Sequence, residues 1–100
     1  MAAVIVLLSF SQAFADRNTR HVMEEASRRE IQLISEAEAV RIGRECIGKP
    51  DAVLDDAELR NKANDGFRPV WELEFRAGRD EYDVHVDAVT GQVLKFEPDD

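Results

Sequence analysis

The clearest pattern along the chain is a change of hydrophobic period at Pro50, from about 3.6 residues to two. Before this proline, one arc of a helical wheel collects the apolar or small residues Ala39, Val40, Gly43, Cys46 and Ile47. After it, apolar and charged residues alternate over two long runs. The pattern therefore predicts one amphipathic helix followed by half-buried β-strands.

The ends of this helix are marked by capping signals. Ser35 to Glu38 reads S-x-x-E, a capping box that provides partners for two free amide groups at a helix start. Gly48 is a favourable C-cap, and Pro50 prevents the helix from continuing. These signals predict a helix over residues 36–47.

Two alternating runs predict a β-hairpin closed by Gly78 and Arg79. With this turn the numbers of paired residues sum to 157, which brings together Trp71 and Val86, Leu73 and Val84, and Phe75 and Tyr82. All of these apolar side chains then share one face of the sheet. On the other face the register places Glu74 opposite Asp83, a repulsive pair.

Two further strands complete the predicted sheet. One covers residues 53–62 and ends at the Asn64-Asp65-Gly66 turn, and the other covers residues 92–97 after Thr90-Gly91. The expected fold is α+β, with one capped amphipathic helix packed on a four-stranded antiparallel β-meander. We expect the core to contain Val40, Cys46, Ile47, Leu59, Trp71, Leu73, Tyr82, Val84 and Leu94.

Residues 1–15 have the pattern of a secretory signal peptide. An uncharged apolar run is followed by Ala13-Phe14-Ala15, an A-x-A cleavage site, and then by Asp16. The run has about half of the roughly 20 apolar residues that a membrane span requires. We expect cleavage after Ala15, export to the bacterial periplasm or the extracellular space, and no stable membrane insertion afterwards.

Residues 16–34 form an N-terminal segment that precedes the main domain at 35–100. Glu24 and Arg28, and Glu25 and Arg29, have the i, i+4 spacing that favours a short surface helix over residues 19–30. A linker without regular structure is the other interpretation. The sequence alone leaves both open.

The charge of the chain restricts its partners. The net charge is −8, from 13 basic and 21 acidic residues, and residues 51–100 carry all of the excess with six basic and fourteen acidic side chains. Such a surface disfavours nucleic acid and acidic membranes. A domain of this size also has little room for a water-free active site.

Catalytic and cofactor motifs are weak. Ser35 is explained as a helix cap, Ser27 has no neighbouring histidine in a recognisable motif, and Cys46 lies on the apolar arc of the helix. The sequence contains no glycine-rich phosphate loop. We therefore expect no enzymatic activity and no cofactor.

One group of residues could bind a cation. Asp83, His85 and Asp87 alternate along one strand and project from the same face, beside Glu72 and Glu74. The solvated face of a two-sided strand has the same pattern without binding anything. A cation-responsive or pH-responsive sensor is the alternative that this cluster supports.

Aromatic residues could instead form a surface for a protein partner. Trp71, Phe75, Tyr82 and Phe96 are in phase with the core, and we expect most of them to be buried. Phe67 lies near the first turn of the sheet. It is the aromatic residue that we expect to be exposed and the candidate for partner binding.

The chain resembles the PepSY domain at both ends of the predicted fold. Its helix begins Ile34-Ser35-Glu36-Ala37-Glu38-Ala39, and its last hairpin reads V-H-V-D-A-V-T-G-Q-V-L over residues 84–94. The resemblance covers about residues 33–97. It implies half of a cystatin-type arrangement and a role in inhibiting or controlling peptidases, which a free-standing module would exert in trans. Pro69 departs from a regular strand and predicts an irregular start there.

Overall fold

The computed structural model describes residues 17–98, which form two helices and a four-stranded sheet. In chain order the elements are α1 (Arg17–Arg28), α2 (Glu36–Ile47), β1 (Val53–Asn61), β2 (Pro69–Ala77), β3 (Asp80–Asp87) and β4 (Val93–Pro98). The proposed signal peptide and its cleavage site, residues 1–15, lie outside the described residues. Neither helix of the described part is long and apolar enough to cross a membrane.

The sheet is an antiparallel meander in the order β1-β2-β3-β4, which confirms the expected α+β fold. The predicted hairpin register is confirmed along its length, from Val70 opposite Asp87 to Ala77 opposite Asp80. Alternation and a two-residue turn were sufficient to predict it, because a shift of one residue would move every apolar side chain to the solvated face.

Helix α2 has the predicted limits. Ser35 Oγ accepts a hydrogen bond of 3.0 Å from the backbone N–H of Glu38. The Glu38 carboxylate pairs with Arg41 at 2.6 Å. At the other end, Gly48 has a φ of 78° and its N–H donates to the carbonyl oxygen of Arg44 at 2.9 Å. The left-handed cap required a glycine, as the sequence indicated.

Residues 17–28 are helical, so the helix interpretation of the N-terminal segment is correct and the linker interpretation is wrong. Three residues of α1 are buried against β1 and the core, Thr19, Val22 and Ala26. Glu25 pairs with both Arg28 and Arg29 at 2.6 Å. Packing of this apolar stripe stabilises a helix whose composition was ambiguous.

The core lies between the helices and one face of the sheet. Five of the predicted core residues are buried, Val40, Leu59, Trp71, Leu73 and Val84. Cys46, Ile47 and Tyr82 are half-buried. The first two are the last residues of α2, and Ile47 packs against the edge of the core.

The prediction for Leu94 is wrong, since its side chain is 47% exposed. The β3–β4 register shifts between His85 and Val86, so Val93 rather than Leu94 pairs with Val86. Val93 packs against the core. An extra residue in an edge strand moves the apolar phase by one position, and alternation alone does not reveal it.

The prediction that Pro69 makes the start of β2 irregular is also wrong. Pro69 pairs with Asn61 in regular register, and its carbonyl accepts a hydrogen bond of 3.0 Å from Ala88 N–H. A proline is tolerated as the first residue of a strand. The β1–β2 irregularity lies between Leu54 and Asp56, at the opposite end of the pairing.

Candidate functional site: the charged face of the sheet

The face of the sheet opposite the core carries a row of four carboxylates, one from each strand. Directly paired residues are Asp56 with Glu74, Glu74 with Asp83, and Asp83 with Glu97. We call these four residues the acidic row. Side chains that face each other across antiparallel strands lie about 4.5–5.5 Å apart at Cβ, so like charges there repel. The row concentrates negative charge in a line across the sheet.

A neighbouring row on the same face contains both signs of charge. It runs Glu58, Glu72, His85 and Lys95 from β1 to β4, and we call it the mixed row. Lys62 Nζ lies 2.8 Å from Glu72 Oε2, and Arg60 Nη1 lies 3.7 Å from Glu72 Oε1. These bases hold the mixed row closer to neutrality than its carboxylates alone would.

His85 stands between charges of both signs. Burial lowers the pKa of its imidazole from the ordinary value of 6.5. Lys95 and Lys62 act in the same direction, whereas Glu72 and Asp83 oppose it. Protonation of the imidazole is therefore disfavoured in the folded protein, and it would add one positive charge beside the acidic row.

A depression of about 160 Å³ lies where the two rows meet. Its walls are almost entirely polar and consist of Asp56, Glu58, Glu72, Leu73, Glu74, Asp83 and His85. At about 30 Å³ for each water molecule, this space is comparable to a few waters. It could also accept the cationic end of a lysine or arginine side chain.

The structure brings together two of the three metal-ligand candidates. Asp83 and His85 line the depression, but Asp87 does not. One carboxylate oxygen of Asp87 accepts hydrogen bonds from Val89 N–H at 2.8 Å and Thr90 N–H at 3.0 Å, which shapes the β3–β4 turn. Within residues 17–98 no group of three or more His, Cys, Asp or Glu side chains is arranged to hold a metal ion.

Phe67 is not the exposed aromatic that the sequence indicated. Its side chain is half-buried and packs against the core, and the guanidinium carbon of Arg29 lies 5.0 Å from the ring centroid. Arg29 follows directly after the last residue of α1. Phe96 is instead 43% exposed, on β4, with its ring stacked on Tyr82 at a centroid distance of 6.0 Å. A role for Phe67 in partner binding stays a prediction.

The two edges of the sheet differ. On β1, Leu59 N–H points away from β2 and donates to Thr19 Oγ1 of α1 at 3.0 Å. On β4, every residue from 94 to 98 is exposed, and Leu94 and Phe96 are large apolar side chains among them. An edge strand of this kind can accept a further strand.

Sequence reasoning identified only the centre of the acidic row. Glu74 and Asp83 followed from the hairpin register, but Asp56 and Glu97 were missed. The alternation of apolar and charged residues in β1 and β4 was the signal that could have located them. One register shift in the β1–β2 pairing and one in the β3–β4 pairing obscure it. Without knowledge of those shifts, the sequence does not reveal that Asp56 faces Glu74 or that Glu97 faces Asp83.

The amino-acid sequence of this domain matches a known protein family. Residues 33–97 match the family model of PepSY, the peptidase propeptide and YPEB domain. The chain belongs to the PepSY family. The matched part includes α2 and the sheet, whereas α1, which covers the β1 edge, precedes it. No match is found among curated proteins or among solved structures.

Family membership confirms the resemblance and assigns a general class. PepSY domains are generally non-catalytic modules, and the family is often linked to peptidase propeptides or to regulation. On the charged face of this PepSY domain, each of the four strands contributes one carboxylate to a single line.

Proposed function

We propose that this PepSY domain is an exported, non-enzymatic binding module that regulates a peptidase in trans. The signal-peptide pattern of residues 1–15 supports export to the periplasm or the extracellular space. The family supports the peptidase as partner class. The acidic row is the single observation that supports a defined contact surface.

The proposed partner surface is basic. Like charges that face each other across strands repel, and lysine or arginine side chains from a partner would add to the charge that Lys95 already places beside Glu97. The depression between Asp83 and His85 offers a polar recess for one such side chain. Complementary charge of this kind increases association rates and makes binding sensitive to salt.

The nucleophile candidates in the described residues support a non-catalytic role. Ser35 Oγ caps α2 by accepting from Glu38 N–H. Cys46 is half-buried in the last turn of α2. His85 lies on the opposite face of the sheet from the core on which that helix packs.

A peptidase assay tests the proposal. The protein is titrated into thermolysin-like peptidases and peptidases from the periplasm of the host, and we expect a change in rate at near-stoichiometric amounts for its partner. Asp56→Asn and Asp83→Asn should weaken the effect and reduce its salt dependence. Glu24→Gln, which removes an exposed carboxylate on α1 rather than on the sheet, is the matched control.

Two outcomes contradict the proposal in different ways. If no peptidase responds to the protein, the regulatory role is wrong. If a peptidase responds equally to wild type and to the two asparagine variants, the role stands but the acidic row is not the contact surface.

A pH-responsive or cation-responsive sensor is the second candidate, and the position of His85 favours it. Protonation of His85 would change the charge of the face on which Asp83 lies. If a cation is the ligand, calcium or zinc should raise the melting temperature by binding the folded state, and Asp83→Asn should abolish that rise. Absence of a shift with either metal would remove the cation version.

A further inference from the structure

The β4 edge has a charge pattern that is complementary to itself. Lys95 and Glu97 lie on the charged face, because they pair with His85 and Asp83, and Phe96 between them pairs with the buried Val84 on the core face. The strand thus presents basic, apolar and acidic residues in turn along an exposed edge.

We propose that β4 pairs antiparallel with β4 of a second copy of this chain, with the two-fold axis at Phe96. In this register Lys95 of each copy faces Glu97 of the other. The junction then contains two Lys–Glu ion pairs. The two exposed Phe96 side chains meet at the axis, on the core face. Leu94, 47% exposed in the single chain, faces Pro98 of the other copy.

The charges select this register from its neighbours. A two-fold axis perpendicular to the sheet keeps the helices of both copies on one side. Paired side chains must also point to the same face, so the axis lies midway between the two copies of one β4 residue. An axis at Lys95 would place two lysines face to face, and an axis at Glu97 would place two glutamates face to face. Only the Phe96 axis pairs opposite charges at both positions.

The same register relieves the end of the acidic row. In the single chain, Glu97 is flanked by Asp83 on one side, and Lys95 Nζ of the same strand lies 3.7 Å from it. In the paired sheet, the acidic row of one copy continues into Lys95 and His85 of the mixed row of the other. Negative charge from one copy thereby meets the positive end of its neighbour.

The β1 edge does not offer the same opportunity. The N–H of Leu59 already donates a hydrogen bond to Thr19 Oγ1, and Asn18 Nδ2 lies 3.4 Å from Glu58 Oε2. The register shift beside Leu94 and the missing N–H of Pro98 restrict the β4 junction to a short segment. We therefore expect association that depends on protein concentration.

Charge reversal tests the pairing. The full chain is expressed in a bacterium and purified, and mass spectrometry identifies its N-terminal residue. Analytical ultracentrifugation then measures its mass in solution at a series of protein concentrations. Wild type should dimerise. Lys95→Glu alone and Glu97→Lys alone should each raise the dissociation constant at least about tenfold, because each places like charges in both pairs.

Mixing the two variants is the decisive step. An equimolar mixture of Lys95→Glu and Glu97→Lys should dimerise, since each junction then contains two opposite-charge pairs, and the double variant should dimerise by itself. Lys49→Glu reverses a charge in the exposed loop after α2, and this variant should have the same dissociation constant as wild type. Phe96→Ser should weaken it, whereas Val53→Ser, a residue 47% exposed on β1, should not.

Circular dichroism of each variant separates loss of pairing from loss of folding. A wild-type protein that stays monomeric over the concentration range overturns the proposal. So does a dimer that tolerates both single reversals, or a mixture that fails to associate. These measurements contain no peptidase, so the inference does not depend on the proposed regulatory function.

Discussion

Thr19 Oγ1 accepts a hydrogen bond of 3.0 Å from the backbone N–H of Leu59, 40 residues further along the chain. Both residues are buried, with exposed fractions of 3% and 0%. The contact closes the outer edge of β1 with a side chain from α1. It also explains why the N-terminal segment is an ordered part of the domain.

Removal of this acceptor should destabilise the protein. Thr19→Val keeps the shape of the side chain but leaves the Leu59 N–H without a partner, at a cost of about 1–3 kcal/mol. Thr19→Ser retains the hydroxyl and is the matched control. Urea denaturation of both variants measures the effect, and a Thr19→Val protein as stable as wild type would show that water replaces the hydroxyl.

Gly43→Ala should destabilise the protein although alanine favours helices. A Cβ at position 43 would lie 2.7 Å from Phe75 Cε2 and 3.2 Å from Leu73 Cδ1, and Phe75 is only 1% exposed. Overpacking of this kind costs about 1–3 kcal/mol, against a gain of about 1 kcal/mol in helix propensity. Thermal unfolding should therefore show a lower melting temperature.

A second position on α2 provides the control for Gly43→Ala. Ala37 is exposed in the first turn of the same helix, and Ala37→Gly should cost at most about 1 kcal/mol through propensity alone. If Gly43→Ala raised the melting temperature instead, α2 would have to be able to move away from β2 without loss of packing.

Glu30→Gly should stabilise the protein. Glu30 follows α1 with a φ of 58°, and the N–H of Ile31 donates to the carbonyl oxygen of Ala26 at 2.9 Å. This is a Schellman ending with a residue other than glycine in the left-handed position, which costs about 1–2 kcal/mol. We expect glycine to recover about 1 kcal/mol in urea denaturation. Glu30→Ala removes the same charge without relieving the backbone and should give no gain.

The stability of the domain should decrease below about pH 6.5 through His85. Its pKa is lower in the folded protein than the ordinary 6.5, mainly because of burial. Between these two pKa values the unfolded chain binds more protons, so stability rises with pH across that window and is fully present above it. His85→Gln should remove this part of the pH dependence of the urea midpoint.

Nuclear magnetic resonance measures the same quantity directly. The ring protons of His85 should titrate below pH 6.5, and Lys95→Met should raise the pKa by removing a nearby positive charge. A titration at or above 6.5 would mean that Glu72 and Asp83 outweigh burial.

Short-range signals in the sequence determined much of the fold. The capping residues set the limits of α2, and the alternation with the Gly78-Arg79 turn set the β2–β3 register. The motif at residues 84–94 indicated the family. Each signal involves neighbours along the chain or a single hairpin, so no knowledge of distant contacts was needed.

Tertiary structure alone decided the edges of the sheet and the extent of the charged face. The register shifts beside Asp56 and Val86 moved Leu94 to the surface and completed the acidic row with Asp56 and Glu97. The packing of α1 closed the β1 edge, and Arg29, just after this helix, lies over the ring of the half-buried Phe67. These features depend on contacts between segments far apart in sequence, where one extra residue changes which side chains face each other, and local periodicity carries no record of that residue.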